Sequence, residues 1–261
     1  MNIQTFCDLM ERVAPRSLAM QNDRIGLLIG TDHKEIKKVL VSLDLTVSVA
    51  EEAIAGGFDL VLTHHPIFWE PVTCIDPNLF ETAAAYRLIR NGIGMFAAHT
   101  NLDAAPGGVN ESLAELLGLV DVRPLPPDNL GRIGELPQNM PFKVFKEHCE
   151  RTLNAAAHTV GDPEAIVKTI GLIGGAGGED IRFAKAAGCD AFVTGEMKHH
   201  QALEADYLGL HCCVLGHYET ERIVLKPLIN RLQKESFDVQ YSLTQSGKAP
   251  MPCPQGGIRN E

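Results

Sequence analysis

Several common features are absent from this sequence, and each absence excludes a class of protein. No segment approaches the ~18 consecutive apolar residues of a transmembrane helix, so no membrane association is expected. The opening segment carries Asp8, Glu11 and Arg12 among its apolar residues, which indicates a folded helix and not a signal peptide. There is no basic surplus either, since 23 Lys and Arg face 33 Asp and Glu, a net charge of −10. General nucleic-acid binding is therefore not expected.

Cysteine and glycine motifs that would identify a site are also missing. The seven cysteines are odd in number, widely scattered and without a C-x-x-C pair, which argues against a disulfide framework or a cysteine zinc site. Free thiols are typical of the cytoplasm, and we predict that location. The glycine-rich run 174–178 lacks the Gly-Lys-Ser/Thr of a P-loop and precedes two acidic residues. A tight strand-to-helix turn is therefore favoured there over a phosphate-binding loop.

What remains is an alternation of apolar strands and amphipathic helices. Strands are predicted at residues 26–29, 38–45, 59–63, 93–98, 166–173, 190–194, 211–215 and 237–243. Helical patterns separate most of these strands, and a long last helix is predicted over residues 219–234. This order predicts an α/β fold with mixed, largely parallel sheets.

Prolines interrupt the alternation near the middle of the chain. Five of them fall between Pro124 and Pro141, which predicts a connector over residues 124–164. We predict a first α/β domain over residues 1–123 with 217–261, and a second over 124–216. The tail from Gln245 is rich in Pro and Gly and is expected to be poorly ordered.

One internal repeat links the two halves. The pattern Ala-x-Ala-x-Gly-x-Asp-x-x-x-Thr occurs over residues 53–63 and again over 184–194, at an offset of 131. Each copy runs from a helix end into an apolar strand that leads to a polar segment. Two related α/β halves explain the match, although two unrelated helix–strand units could produce it by chance.

Histidines cluster where strands end. His64 and His65 follow one strand, and His99 follows the next, with Asp103 four residues further on. The pair at 199–200 comes after a third strand, and His217 after a fourth. Because sites in α/β sheets form at the carboxyl ends of strands, we expect these side chains at one sheet edge. A single histidine there is usually structural, so the prediction depends on their convergence.

The strongest local signal is the pair His217 and Glu221. A spacing of four residues places both on one face at the start of a helix, where an imidazole and a carboxylate can bind one ion. Together with His64, His65 and Asp103, the inventory is three imidazoles and two carboxylates. That set is too large for one four-coordinate zinc with an open position, and it fits two neighbouring divalent ions. Zinc, iron and manganese all suit such ligands.

Four segments together resemble a known family. They are Leu62–Phe68, His99–Asn110, Thr194–His200 and Gly216–Glu221, and they resemble the Nif-three-like dinuclear metal-centre family, whose members are often called GTP cyclohydrolase I type 2 homologues. The resemblance implies two related α/β domains facing each other across a dinuclear metal site. It also implies a ring-shaped homohexamer, and its metal ligands match the same five residues, with Glu221 as the bridging carboxylate. The family commonly has a Trp where Gln21 or Asn22 stands here.

The resemblance further implies a metal-dependent hydrolase that acts on a nucleotide. The family name refers to conversion of GTP and water to formate and 7,8-dihydroneopterin triphosphate. By position, His99 and Glu196 are the candidate catalytic residues, and Lys198 and Arg222 are candidates for contact with a substrate phosphate. The alternative is a non-enzymatic metal-binding hexamer with a scaffold or regulatory role.

Overall fold

The computed structural model describes residues 1–249, so most of the predicted tail lies outside the described residues. The helices and strands before residue 108 are α1 (Ile3–Val13), β1 (Gly26–Ile29), β2 (Lys38–Ser42), α2 (Val47–Gly56), β3 (Leu60–Thr63), α3 (Phe80–Arg90), β4 (Gly94–Ala97) and α4 (Thr100–Ala104). The next group is α5 (Val109–Leu116), β5 (Val120–Pro124), β6 (Arg132–Pro141), α6 (Phe142–Leu153), β7 (His158–Val160), β8 (Ile166–Ile173), α7 (Ile181–Ala186), β9 (Ala191–Thr194), α8 (His199–Leu208), β10 (His211–Val214) and α9 (His217–Glu221). The last two are α10 (Leu225–Glu235) and β11 (Gln240–Leu243).

These elements form two compact units. Over residues 1–248, unit 1 contains Met1–Gly108 and Leu225–Lys248, and unit 2 contains Val109–Val224. The divisions therefore fall after residues 108 and 224, whereas the sequence predicted them at 123 and 216. The physical reason lies in α5, whose Leu113 packs in one core with Phe142 and Phe145 of unit 2.

Unit 1 is built on a five-stranded mixed sheet in the order β1-β4-β3-β2-β11. Strands β4, β3, β2 and β11 are parallel, and β1 is antiparallel to β4. Every residue of β3 is buried, which explains its continuous run of apolar residues. Helices α2 and α3 contribute Val49, Ala53, Ala84 and Leu88 to the core against this sheet.

Unit 2 has a six-stranded mixed sheet in the order β5-β6-β8-β9-β10-β7. Its three central strands β8, β9 and β10 are parallel, and the flanking pairs are antiparallel. One core includes residues of α5 and α6, and a second includes Ala184 of α7 and Ala205 of α8. The predicted α/β class with mixed sheets is thus confirmed for both units.

Two predictions of local structure are wrong. The proline-rich connector predicted over 124–164 holds β6, α6 and β7. Pro137 and Pro141 are tolerated in β6 because its pairing with β8 is already irregular between Glu135 and Met140. The single helix predicted over 219–234 is divided into α9, a short 3₁₀ turn and α10.

The helices are short compared with the thickness of a bilayer. Within residues 1–249, none of them has the length and apolar run needed to cross one.

Candidate metal centre

The histidine doublet of unit 1 continues the β3 ladder before the chain turns. The backbone N–H of His64 donates to Ser42 O at 3.3 Å, and that of His65 donates to Leu43 O at 2.9 Å. The Thr63 hydroxyl then closes a turn by donating to the carbonyl of His65 at 2.6 Å. As a result the two imidazole rings leave the strand as neighbours, with centroids 4.9 Å apart and planes tilted by 48°.

Both rings of the doublet are oriented by an oxygen acceptor on Nδ1. His64 Nδ1 donates to the carbonyl of Ala98 at 2.9 Å, and His65 Nδ1 donates to Asp44 Oδ1 at 2.8 Å. Each bond fixes the tautomer in which Nε2 carries the lone pair. His64 Nε2 lies 3.6 Å from Asp103 Oδ1, and both side chains are buried. A metal-ligating histidine is typically held in this way by an acceptor on its other nitrogen.

Asp103 reaches this position through helix α4, which begins after β4. Its backbone N–H donates to His99 O at 3.0 Å, so the histidine and the aspartate occupy successive turns. Asn101, on the same short helix, donates from its side chain to Ala14 O at 2.6 Å and is buried. This bond anchors α4 to the end of α1 and thereby fixes the direction of Asp103.

His99 lies beside the doublet and is held by a residue that the sequence did not indicate. Its Nδ1 donates to Asp23 Oδ1 and Oδ2 at 2.9 and 3.0 Å, and Thr100 donates to the same carboxylate from its backbone N–H and its hydroxyl. Burial works to raise the pKa of Asp23, but these bonds hold that pKa well below its usual range. Ligand atoms of His64, His65 and His99 all lie within 4.8 Å of one another. No local pattern links positions 23 and 99, so only tertiary structure reveals the pair.

In unit 2, the predicted helical pair is present on α9. His217 Nε2 lies 3.1 Å from Glu221 Oε2, and His217 Nδ1 lies 3.2 Å from Glu196 Oε1. Glu196 therefore orients His217 as Asp44 orients His65. The predicted catalytic role of Glu196 stays a prediction, while its contact in the structure is that of a positioning residue.

The glycine-rich run 174–178 lies next to His217 and Glu221 and leaves space for their side chains. Gly175 has φ +65°, and a Cβ built there would collide with Glu221 Oε1 and lie 3.1 Å from His217 Nε2. Its backbone N–H donates to the Thr220 hydroxyl at 3.0 Å, and that hydroxyl donates to Gly216 O at 2.9 Å. The loop thus packs closely under α9, which agrees with a tight turn.

The two candidate phosphate contacts have different surroundings. Lys198 is exposed, lies 3.7 Å from Glu179 and lines a cleft of about 470 Å³ together with Glu196. Arg222 is placed differently: its guanidinium lies 5.8 Å from the ring centroid of Tyr218 and donates to Leu153 O at 3.5 Å. The structure therefore brings Lys198 and Glu196 to one cleft and leaves Arg222 outside its lining.

The geometry defines a class of protein: an α/β chain in which the residues after its strands present imidazoles and carboxylates that could bind metal ions. Comparison with known proteins then identifies the family. The chain belongs to the Duf34/NIF3 (NGG1p interacting factor 3) family, whose model matches residues 1–250. The resemblance inferred from the four sequence segments is confirmed.

Individual relatives agree with this assignment. The chain is 29% identical over 258 residues to a Clostridium perfringens protein named GTP cyclohydrolase 1 type 2 homolog, covering 96% of this chain and 98% of that protein. It is 34% identical over 207 residues to a Streptomyces coelicolor protein of the same name, covering 75% and 73%. Among solved structures, a Bacillus cereus protein related to NIF3 superposes with a TM-score of 0.90 at 25% identity, covering 96% of this chain and 98% of that one.

Proposed function

We propose that the protein is a metal-dependent hydrolase that acts on a nucleotide or a related phosphorylated substrate. In this proposal His64, His65, Asp103, His217 and Glu221 hold two divalent ions, and zinc, iron and manganese are the candidate metals. One observation carries it: the three proposed ligand histidines all have Nδ1 next to an oxygen acceptor, and His64 and His217 have a carboxylate oxygen within 3.6 Å of Nε2. Imidazole and carboxylate donors of this kind fit divalent transition metals.

The ions and the chain contribute different parts of the chemistry. When bound, such ions polarise a substrate oxygen and lower the pKa of coordinated water. The residues of the chain orient the ligands, since Ala98 O, Asp44 and Glu196 each hold one imidazole in a fixed tautomer. His99 is held in the same way by Asp23, which leaves Nε2 as the atom that can accept a proton from a substrate or from water.

GTP is the first substrate to test, because the C. perfringens and S. coelicolor relatives carry the name GTP cyclohydrolase 1 type 2 homolog. The corresponding reaction consumes water and yields formate and 7,8-dihydroneopterin triphosphate. Other nucleotides belong in the same panel, because a fold and a pair of metal ions do not determine a substrate.

The central experiment compares metal content and turnover in two histidine variants. Protein purified without chelator should contain about two metal ions per chain, and His65→Ala should lose metal together with nucleotide turnover. His200→Ala is the matched control, because this exposed histidine is the second residue of α8 and takes no part in the proposed site. Metal content that stays at zero after reconstitution would contradict the proposal. Full metal content and retained assembly without turnover of any nucleotide would favour the scaffold role.

By family resemblance, Glu221 would be the carboxylate that holds both ions. A carboxylate has two oxygens and can contact two ions, whereas each imidazole nitrogen serves one. Glu221→Gln should therefore reduce bound metal more than His64→Ala does, with circular dichroism as the check on folding. A folded Glu221→Gln protein with two tightly bound ions would make Asp103 the better bridging candidate.

Assembly and location complete the proposal. By family resemblance the chain forms a homohexamer, which light scattering at micromolar concentration would test against a monomer. A cytoplasmic location suits the cysteines, since the six within the described residues are all free thiols.

A further inference from the structure

The only tryptophan of the chain lies beside the histidine cluster of unit 1. Trp69 follows the doublet by four residues, and its ring centroid is 5.2 Å from that of His99, with an interplanar angle of 87°. The centroid of His65 is 6.3 Å away, at 46°. Trp69 therefore contacts both a proposed ligand and the proposed proton-transfer residue.

This tryptophan is unusually exposed for its type. Its residue surface is 58% accessible, although tryptophan is highly buried on average. The preceding residues Ile67 and Phe68 pack against the core of unit 1, so the chain entering Trp69 is anchored. The indole is therefore exposed although the residues just before it are anchored in the core.

We propose that Trp69 is a stacking platform for a planar heteroaromatic ring, the base of the substrate, next to the imidazole cluster. The inference rests on the proposed function and narrows its substrate class to molecules that carry such a ring. A perpendicular contact with His99 covers only part of the indole surface and leaves π-surface for a base. The ring neighbours of Trp69 are the imidazoles of His65 and His99, each hydrogen-bonded to a carboxylate, and such polar groups suit a small polar heterocycle better than an apolar protein surface.

Because Trp69 is unique, its fluorescence reports on this position alone. Full-length, metal-loaded protein would be titrated with GTP, ATP and UTP, and with inorganic triphosphate as the probe that has charge but no base. We expect saturable quenching by at least one nucleotide and none by triphosphate. Quenching by none of the three nucleotides would overturn the inference.

Variants separate stacking from other roles. Trp69→Ala should weaken nucleotide binding, measured by calorimetry, about tenfold or more, while Trp69→Phe should retain most of the affinity. Phe80→Ala is the control, because Phe80 is 94% exposed and is the first residue of α3, the next helix along the chain. Metal content should stay unchanged in all three variants. Nucleotide binding by Trp69→Ala equal to that of the unmodified protein would overturn the inference.

The outcomes also distinguish this inference from the proposed hydrolase. Base-dependent quenching without turnover would support the platform and contradict the hydrolase. Full metal loading and turnover with no effect of Trp69→Ala on binding or KM would support the hydrolase and contradict the platform. A blue-shifted emission that acrylamide cannot quench in ligand-free protein would show that another protein surface covers the ring, and would also contradict the platform.

Discussion

The two copies of the internal repeat share a backbone design and differ in the residues that come after the strand. In unit 1, Asp59 Oδ2 accepts hydrogen bonds from the backbone N–H groups of Lys37 and Lys38, at 2.7 and 2.9 Å. In unit 2, Asp190 Oδ2 accepts the equivalent pair from Lys168 and Thr169, at 2.9 and 2.8 Å. The offset of 131 residues therefore holds for the aspartates and for their partners. This agreement supports two related α/β halves over a chance match.

The difference begins one residue after each strand. The same offset aligns His64 with Gly195 and His65 with Glu196. A Cβ at Gly195 would lie 2.7 Å from each of three atoms: Gly175 O, His217 Cα and Thr220 Oγ1. No side chain fits there, so unit 2 presents its histidine from α9 instead. The comparison shows that both copies of the repeat form the same helix–strand scaffold. Close backbone packing then determines at which positions a metal-binding side chain fits.

The largest expected effect comes from adding a methyl group at that point. Gly195→Ala should destabilise the protein by about 3 kcal/mol, because two of the three contacts involve backbone atoms that cannot move aside easily. Urea unfolding measures the change. Gly30→Ala is the control, since a Cβ there meets nothing within 4 Å. Equal stability of the two variants would remove this explanation of the difference between the units.

The second-largest expected effect tests whether the aspartate of the repeat stabilises the fold in both units. Asp59→Ala and Asp190→Ala each leave two backbone N–H groups without their acceptor, and each should cost about 2 kcal/mol. Similar losses of unfolding free energy, measured with urea, would support the structural equivalence of the two copies. A loss confined to one variant would contradict it.

A smaller effect concerns the helix that enters each repeat. In unit 1, the Thr46 side chain caps α2 by accepting from Val49 N at 3.2 Å, whereas the Asp180 side chain makes no cap bond to α7. Thr46→Ala should therefore cost about 1 kcal/mol in thermal or urea unfolding. Thr46→Ser, which keeps the hydroxyl, should restore most of the loss, and failure to do so would exclude the cap as its cause.

The smallest effect depends on pH. Burial, together with Asp128 and Glu179, raises the pKa of Asp180 from 3.8 to about 6. The unfolded chain releases this proton at lower pH than the folded protein does, so the carboxyl group destabilises the fold as pH rises from about 4 to 6. Asp180→Asn should add up to about 1 kcal/mol at pH 7.5, after allowance for solvent screening, and almost nothing at pH 4. A gain that is the same at both pH values would contradict this origin.

Sequence patterns predicted the parts of the fold that depend on local signals. The apolar runs of β3 and β9 are buried strands because a parallel strand covered on both faces needs no polar residues. The prolines of β6 led to a wrong prediction, since an irregular pairing tolerates them and sequence does not show the irregularity. Likewise, a pattern of four-residue spacing does not reveal where α9 ends and α10 begins.

The candidate site likewise contains some residues that local patterns predicted and others that they did not. The i, i+4 pair His217 and Glu221 is a local pattern, and the structure shows its two side chains in contact. The residues that orient the imidazoles are distant in sequence: Asp44 is 21 positions from His65, and Asp23 is 76 positions from His99. Such partners are set by packing, so single-sequence reasoning has no pattern from which to find them.

The placement of β11 has a consequence for synthesis of the chain on the ribosome. In the finished sheet of unit 1, β2 lies between β3 and β11, but β11 is the last strand to be made among those in residues 1–249. Residues 109–224, which belong to unit 2, are translated between β4 and α10. For on the order of ten seconds, at typical elongation rates, the nascent sheet therefore exposes β2 as an open edge. Residues 109–224 of unit 2 are one continuous segment and can fold first, so the sheet that begins in the first 108 residues is completed after them.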